Sequence, residues 1–313
     1  MPRTAVRSLR PYAVCAGAAL ALAGCGAAQG PAGSASTSAV SATTSAATSS
    51  ATSSSATTSS ASAIPAECMK GTVATHTDGK LTIGTDTPAY GPWFSDNDPA
   101  NGRGYESAVA YAIADKLGFA PGDVKWVTVP FNKAVLPGAK DFDFDVNQVS
   151  ITDARKKAVD FSSGYYDVVQ TVITYKGSPI DGKTTIADLK GAKLGAQVGT
   201  TSLLAITDQI GAESAVYQSN DKAVLALKAH QIDGIVADLP TAFFMTAVQL
   251  DDGVIVGQLP LTGSTPEQFG AVLDKGSALT PCVTAAVDAL RADGELDTLV
   301  TTWLSSQGAP ELK

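Results

Sequence analysis

Histidine is scarce in this chain, whose 313 residues include only His76 and His230. Neither lies in an H-E-x-x-H motif or in a clear pairing of a nucleophile with a base, so the sequence gives little support to a hydrolase or a metalloenzyme. Basic residues are also few, since 22 Lys and Arg stand against 30 Asp and Glu. Without a Lys/Arg cluster, this acidic chain is expected to bind neither nucleic acid nor anionic lipid through charge.

Long apolar runs are absent after the N-terminal region, and no later stretch reaches the 18 residues that a membrane-spanning helix needs. The N-terminal region itself carries Arg3, Arg7 and Arg10 without any acid, followed by a mostly apolar run from Tyr12 to Ala23. A basic start, a short apolar run and small residues at its end are typical of a secretory signal peptide. Residues 1–24 are therefore predicted to be removed on export.

The signal peptide ends in Leu22-Ala23-Gly24-Cys25, which resembles a bacterial lipobox. In such signals the cysteine becomes the lipidated first residue of the mature protein, carrying acyl chains such as palmitate. The resemblance implies that Cys25 holds the protein at the extracytoplasmic face of the cell membrane. The alternative is a buried apolar helix with incidental cysteines.

Residues 26–63 are almost wholly Ala, Ser, Thr and Gly, and none of them is charged. Such a segment has no large apolar side chains to offset the entropy of ordering, so residues 25–66 are predicted to be a disordered linker that begins with the lipidated cysteine. Residues 67–313 remain, which is enough for one large domain or two lobes.

Two of the four cysteines, Cys68 and Cys282, are left after the signal peptide and the lipidation site are set aside. An even pair in an oxidising compartment predicts a disulfide between the start of the folded domain and its C-terminal helical region. Two buried free thiols are the alternative.

Strand-like and helix-like segments alternate through the folded part. The β-rich run Leu81–Thr85 precedes a segment from Tyr105 to Leu117 with apolar residues at helical spacing, and the chain ends in two helical segments. This alternation predicts α/β architecture with largely parallel sheets covered on both faces.

Two motifs suggest a bound phosphate or metal but lack the context that either would need. Residues 177–184 match the P-loop pattern G-x-x-x-x-G-K-[ST], yet the helical stretch that follows ends near Lys190. A surface turn is favoured there. Asp141, Asp143 and Asp145 alternate like the start of a calcium loop but lack its glycine and distal glutamate, so a solvated strand face is favoured. No metal or other cofactor is predicted.

The first candidate binding segment is Asp86 to Phe94, which follows the first strand directly. Aromatic residues in a Pro/Gly turn at the carboxyl end of a strand lie where open α/β sheets bind ligands. Tyr90 and Trp93 are the candidates, with a cover over the edge of the core as the alternative.

The second candidate segment runs from Asn147 to Arg155. Thr152 is placed to cap a helix, whose first N–H groups favour an anion, and Arg155 can make a two-pronged contact with a carboxylate. A merely solvated surface arginine is the alternative.

The third segment runs from Gln197 to Thr201 and again joins a strand to a helix through glycine. Its N–H groups and the hydroxyls of Thr200 and Thr201 suit the same carboxylate. Asp238 ends another apolar strand and either pairs with an ammonium or caps the next helix. Together the three segments predict a site for a zwitterion.

On these residues the chain resembles the bacterial extracellular solute-binding protein family 3, the polar amino acid-binding proteins that serve ABC importers. The matching segments are LTIGTDTPAYGPWF, GYESAVAYAIADKLG, SITDARKKAVDFSSGYY, DLKGAKLGAQVGTT, IDGIVADLPTA and AVDALRADGELDTLVTTWL. The resemblance implies a type 2 periplasmic-binding fold in which two α/β lobes are joined by two crossing strands. Lobe 1 is placed at about 68–174 and 264–313, and lobe 2 at about 175–263.

The resemblance also implies roles for particular residues. Arg155 binds the α-carboxylate with help from Ser150 and Thr152, the second lobe adds its hydroxyls, and Asp238 binds the α-ammonium. The side-chain pocket is walled by aromatic residues. The complete set predicted to bind the ligand is Asp86, Tyr90, Trp93, Phe131, Asn147, Gln148, Ser150, Thr152, Arg155, Gln197, Thr200, Thr201 and Asp238. Asn147 and Gln148 stand where the family often has small residues.

The expected function is capture of a polar amino acid by a lipid-anchored monomer that delivers it to an ABC permease in the membrane. Two alternatives stay open. One is an exported, dehydratase-like enzyme on the same fold, for which Asp86 and Glu106 are the only obvious acids. The other is a solute sensor that does not take part in transport.

Overall fold

The computed structural model describes residues 63–304 and 308–313. The predicted signal peptide, the lipidation site at Cys25 and nearly all of the predicted linker lie outside the described residues. Within the described residues, the helices are too short or too polar to cross a membrane.

The strands of the described part are β1 (Leu81–Thr85), β2 (Val124–Thr128), β3 (Phe144–Asp145), β4 (Asp160–Val168), β5 (Gln170–Tyr175), β6 (Lys193–Gln197), β7 (Glu213–Tyr217), β8 (Gly234–Asp238), β9 (Gly253–Gln258) and β10 (Glu267–Leu273). The α-helices are α1 (Tyr105–Lys116), α2 (Phe131–Ala134), α3 (Thr201–Ala205), α4 (Asn220–Lys228), α5 (Leu239–Phe244), α6 (Thr280–Ala292) and α7 (Glu295–Trp303). Single π-helical turns, Ile206–Ile210 and Met245–Gln249, continue α3 and α5.

These strands form two five-stranded sheets, ordered β2-β1-β3-β10-β4 and β7-β6-β8-β5-β9. In each sheet one strand pairs in parallel with both of its neighbours, β1 in the first and β6 in the second. The remaining pairings through β10 and β5 are antiparallel. The expected two α/β lobes are therefore present, but their sheets are mixed, because β10 in the first sheet and β5 in the second run antiparallel to the other strands.

The chain changes sheet twice through strands, once between β4 and β5 and again between β9 and β10. The first change falls at Val169, a few residues before the predicted boundary at 174/175, because β5 pairs entirely within the second sheet. These two crossings agree with the predicted connection of the lobes.

The C-terminal residues 308–313 lie on the second lobe, although the sequence assigned them to the first. Leu312 is buried in the core of the second lobe, and Glu311 forms a parallel bridge with Gln258. The backbone N–H of Ile186 also donates to the Lys313 carbonyl at 2.8 Å. Backbone hydrogen bonds and the burial of Leu312 thus hold this segment against β9, where Gly257 leaves the space that Leu312 fills.

The first lobe has an aromatic core on one face of its sheet. Trp93, Tyr105 and Phe269 are all buried, and their rings meet edge to face or tilted against the half-buried Tyr166. The structure contains the predicted disulfide between Cys68 and Cys282, which ties the segment before β1 to α6. This lobe is thus held by aromatic packing and by a covalent link.

The acidic alternation before the second candidate segment is largely buried, and the predicted solvated face is wrong. The Asp143 carboxylate accepts the backbone N–H groups of His76 and Thr82, each at 2.6 Å. Asp145 is completely buried opposite Gly84, and burial raises the pKa of its carboxyl well above its ordinary value. The reason is that β3 lies in the middle of the sheet, where both faces are covered.

The second lobe has aliphatic cores on both faces of its sheet, built mainly from Val, Ile, Leu and Ala. The P-loop-like residues 177–184 form surface turns after β5, with Gly177 and Gly182 at positive φ, and only a short 3-10 helix (Ile186–Leu189) follows. The structure therefore provides no helix start there of the kind that receives phosphates.

Candidate ligand-binding cleft

A cavity opens between the two lobes, and most of the predicted binding residues line it. Those that do are Asp86, Tyr90, Phe131, Asn147, Gln148, Ser150, Arg155, Gln197, Thr200, Thr201 and Asp238. The first seven belong to the first lobe and the last four to the second. The sequence did not predict several other lining residues, among them Gln170, Ser202, Asn220 and Phe269.

Arg155 begins a short 3-10 turn beside the cavity and spans the lobes. One terminal nitrogen donates to the Ser150 carbonyl at 2.6 Å and the other to the Gly199 carbonyl at 2.8 Å. The guanidinium carbon lies 5.5 Å from the centre of the Phe131 ring. Burial lowers the pKa of Arg155 to about 10, against an opposing effect of Glu267, so the side chain is charged at neutral pH. The N–H groups that remain are available to a carboxylate.

Thr152 does not line the cavity. Its hydroxyl accepts the backbone N–H of Arg155 at 3.2 Å, although Ala154 rather than Thr152 directly precedes the turn that Arg155 begins. The geometry therefore places Thr152 behind Arg155, where it holds the turn that presents the guanidinium.

Trp93 does not line the cavity either, and its predicted place in the pocket wall is wrong. The side chain is completely buried, and its indole N–H donates to the Thr241 hydroxyl of the second lobe at 2.8 Å. A large ring with one polar atom fits the covered junction of the lobes, because the ring packs in the core and the N–H finds an acceptor across it.

The start of α3 supplies the second lobe's part of the site. The Thr200 hydroxyl donates to the Gln197 carbonyl at 2.7 Å and accepts the Leu203 N–H at 3.1 Å, which makes it the helix cap. The Thr201 hydroxyl donates to Glu267 at 2.6 Å and lies 3.1 Å from the Ser150 hydroxyl. Both hydroxyls thus have protein partners, and the first N–H groups of the helix are what this segment offers an anion.

Glu267 is a residue that the sequence reasoning missed. It begins β10 and accepts from Thr201, and the amide nitrogen of Gln170 lies 3.4 Å from both of its oxygens. Its charge also acts on Arg155. No local pattern marks this glutamate, because its partners are 66 and 97 residues away along the chain.

Asp238 ends β8 and caps α5 through an oxygen that accepts the Thr241 N–H at 2.9 Å. It also lines the cavity, so the capping role is present and the pairing with an ammonium stays a prediction. Burial raises the pKa of Asp238 to about 6, and the carboxylate is accordingly ionised at neutral pH. Arg155 and Asp238 therefore present opposite charges to one cavity.

Another part of the cavity is formed mainly by the first lobe. The two oxygens of Asp86 accept the N–H groups of Thr87 at 2.7 Å and Phe131 at 3.0 Å. The Tyr90 ring packs against Phe244 of the second lobe at 5.8 Å between centres. Burial and a hydrogen bond with Asp221 raise the pKa of Tyr90, so its hydroxyl stays neutral.

Glu106 lies completely buried behind Gln148 and is not among the residues that line the cavity. One oxygen accepts the backbone N–H of Gln148 at 2.7 Å and the hydroxyl of Tyr165 at 2.5 Å, and the other accepts the Gln148 side-chain N–H. Burial raises the pKa of Glu106 to about 7.

Two α/β lobes with a cleft lined from both sides define a two-lobed solute-binding protein. Residues 81–306 match the family model of bacterial extracellular solute-binding proteins, family 3. The ABC transporter glutamine-binding protein GlnH of Bacillus subtilis is 30% identical over 256 residues, which cover 78% of this chain and 88% of that protein. The chain therefore belongs to the bacterial extracellular solute-binding proteins of family 3.

Solved structures agree with this assignment. An ancestral arginine-binding protein bound to arginine has a TM-score of 0.58 and 28% identity, covering 72% of this chain and 98% of that one. The ancestral amino acid-binding protein AncCDT-1, described as a precursor of cyclohexadienyl dehydratase, has the same score and identity over 72% of this chain and 94% of its own. The fold is the type 2 periplasmic-binding fold.

Proposed function

We propose that the protein captures a polar amino acid between its lobes and delivers it to the permease of an ABC importer. The observation that carries this proposal is the opposition of Arg155 and Asp238 across one cavity. A free amino acid is the solute that carries a carboxylate and an ammonium a short distance apart, so it pairs with both. The relatives named for glutamine and arginine support the same class of ligand.

Contacts between the lobes support a receptor that closes over its ligand. Arg155 reaches Gly199, Thr201 reaches Glu267, and Trp93 reaches Thr241, each pair joining one lobe to the other. A ligand that contacts Arg155 and Asp238 together stabilises this closed arrangement, since it can contact only one of the two lobes when they move apart. The permease would then recognise the closed form.

We further propose that Cys25 carries a lipid and that the protein acts as a monomer on the extracytoplasmic face of the cell membrane. The Leu-Ala-Gly-Cys sequence supports this proposal. The composition of residues 26–63 predicts a flexible linker, and a linker of about 38 residues would have an r.m.s. span of roughly 35 Å, enough to reach a permease in the same membrane.

An exported enzyme on the same fold is the second candidate, favoured by the similarity to AncCDT-1. Its two candidate acids are poorly placed for proton transfer. Both oxygens of Asp86 accept backbone N–H groups, and Glu106 is buried behind Gln148. Of the two, only Asp86 lines the cavity, and a general acid or base must reach the ligand, so binding without chemistry is the better-supported function.

Calorimetry with the twenty common amino acids tests the proposal on residues 67–313. We expect saturable binding of at least one polar amino acid and its recovery, chemically unchanged, by chromatography after incubation. Conversion of the ligand would support the enzyme instead, and no binding across the panel would overturn the proposal. Incorporation of an alkyne-labelled fatty acid into the full chain, compared with Cys25→Ser, tests the anchor separately.

A further inference from the structure

Gln148 adopts an unusual backbone conformation in order to face Glu106. Its φ is +48°, a region that residues with a side chain seldom occupy and that costs on the order of 1 kcal/mol or more. The conformation lets the backbone N–H and the side-chain N–H of Gln148 reach the two oxygens of one carboxylate. The backbone N–H and one side-chain N–H of Gln148 are thus engaged away from the cavity.

The identity of residue 106 decides which end of the Gln148 amide meets a ligand. An ionised carboxylate only accepts hydrogen bonds, so the amide must turn its nitrogen toward Glu106. The amide oxygen then points away from Glu106, and Gln148 lines the cavity. A buried acid that does not touch the cavity therefore makes Gln148 an acceptor.

Two neighbouring side chains have the same polarity. Asp86 is a carboxylate that lines the cavity, and Asn147 directs its side-chain nitrogen toward the Val129 carbonyl at 3.5 Å, which leaves its oxygen as the other end of the amide. We propose that Glu106 is a positioning residue that fixes Gln148 as an acceptor, and that with Asp86 and Asn147 it selects amino acids whose side chain bears N–H groups. A glutamine side chain is accepted, and the isosteric carboxylate of glutamate is rejected.

The second lobe adds a feature that matches a carboxamide. Gln197 lines the cavity, and its side-chain oxygen accepts the Asn220 N–H at 3.0 Å. Its nitrogen is therefore the end left for a ligand, where it suits the carbonyl of a glutamine or asparagine side chain. The Gln148 amide donates to the protein and so offers its oxygen to a ligand, whereas the Gln197 amide accepts from the protein and so offers its nitrogen.

This inference rests on the proposed function and adds the class of side chain. We expect the dissociation constant of glutamate to exceed that of glutamine by about 100-fold, because glutamate leaves the acceptors of the cavity unpaired and faces Asp86 with a like charge. Arginine and lysine also carry N–H groups and are expected to bind more tightly than glutamate or aspartate.

The test measures these dissociation constants by calorimetry at pH 8, where Glu106 is ionised. Glu106→Gln frees the Gln148 amide to turn its nitrogen to the cavity, so we expect the preference for glutamine over glutamate to fall about tenfold. The exchange Glu106→Gln with Gln148→Glu keeps the net charge and again presents an acceptor to the cavity, so the preference should return. Asp143→Asn removes a buried carboxylate elsewhere in the same lobe and should leave the preference unchanged within about twofold.

Each outcome has a distinct meaning. A wild-type protein that binds amino acids but prefers glutamate, aspartate or an apolar residue overturns this inference and leaves the proposed function standing. One that binds no amino acid overturns the proposed function. An unchanged preference in folded Glu106→Gln also overturns the inference. If that variant does not fold, Gln148→Met decides, since it removes the acceptor and should reduce the preference about tenfold.

Discussion

The two lobes contribute to the cleft by different means. The first lobe presents long polar side chains, above all Arg155, Gln148 and Asp86. The second presents the start of a helix at Thr200, one acid, Asp238, and the amide of Gln197. Side chains can be exchanged to suit different ligands, whereas backbone N–H groups are the same in any sequence. We therefore expect most of the ligand selectivity to come from the first lobe, and binding of the groups common to all amino acids to come in part from the second.

The cores of the two lobes also differ in composition. The first lobe packs buried Trp93, Tyr105 and Tyr165 against one another and is tied by the Cys68–Cys282 disulfide. The second lobe is mainly aliphatic, and the disulfide lies outside it. A rigid aromatic core suits a lobe that must hold several side chains in place before the ligand arrives. We accordingly expect the first lobe to provide the larger share of affinity.

The strongest test of this comparison is Arg155→Ala. We expect affinity for the best amino acid to fall about 1000-fold, because the ligand carboxylate loses its half-buried charged partner, a change worth about 4 kcal/mol. Calorimetry measures the loss. Lys183→Ala is the control, since Lys183 is exposed on the surface turn of residues 177–184, and it should bind like the wild type. Normal binding by the Arg155 variant would contradict the assignment of Arg155 as the residue that binds the ligand carboxylate.

Asp238→Asn tests the second lobe's side chain. Asparagine caps a helix as well as aspartate does, so α5 should survive while the charge opposite the ligand ammonium is lost. We expect affinity to fall about 100-fold. The control is a ligand analogue without the α-amino group, for which the variant and the wild type should differ little. Equal losses for both ligands would mean that Asp238 supports the fold rather than binding the ammonium.

The pH dependence of binding sharpens the same point. Burial raises the pKa of Asp238 to about 6, so the ionised form that pairs with an ammonium predominates above pH 6. Below pH 6 protons compete with the ligand, and affinity should fall by up to about tenfold per pH unit. Titration calorimetry between pH 8 and pH 4.5 measures the slope, and Asp238→Asn should flatten it. A wild-type affinity that is constant down to pH 4.5 would contradict this assignment.

Trp93→Phe has the smallest expected effect and tests the junction between the lobes. It removes the indole N–H that donates to Thr241 across the junction. A neutral hydrogen bond contributes about 1 kcal/mol, so we expect about fivefold weaker binding, mostly through faster dissociation. Trp126→Phe is the matched control, because the Trp126 N–H points to Tyr111 within the first lobe. Stopped-flow fluorescence separates the rates, and equal dissociation rates for the two variants would show that the contact does not hold the lobes closed.

Much of the fold could be predicted because its elements carry local patterns. The run Leu81–Thr85 and the helical spacing from Tyr105 correspond closely to β1 and α1. The burial of Asp143 and Asp145 could not be predicted in this way, since it depends on β3 lying in the middle of the sheet. The position of Leu312 likewise depends on a groove beside Gly257 that forms only in the folded lobe.

The binding site likewise contains residues that could be predicted from local patterns and residues that could not. Residues in motifs, such as Arg155 and Asp238, line the cavity as predicted. Trp93 and Thr152 do not, because an aromatic turn and a capping threonine look alike in sequence whether they face a ligand or the protein. Glu267 and Gln170 were missed, since their partners come from segments far away along the chain.

The sequence by itself determined the two-lobed α/β class, the pairing of Cys68 with Cys282 and the opposite charges of the cleft. The α/β class and the charges follow from residue types at local spacings and the disulfide from a count of cysteines, whereas the two lobes follow from the resemblance to the family. The tertiary structure alone decided which atoms those residues leave for a ligand. The hydroxyls of Thr200 and Thr201 are taken up by the protein, and a buried carboxylate at Glu106 sets the direction of the Gln148 amide. Hydrogen bonds depend on distance and direction, and chain folding sets both between residues far apart in sequence.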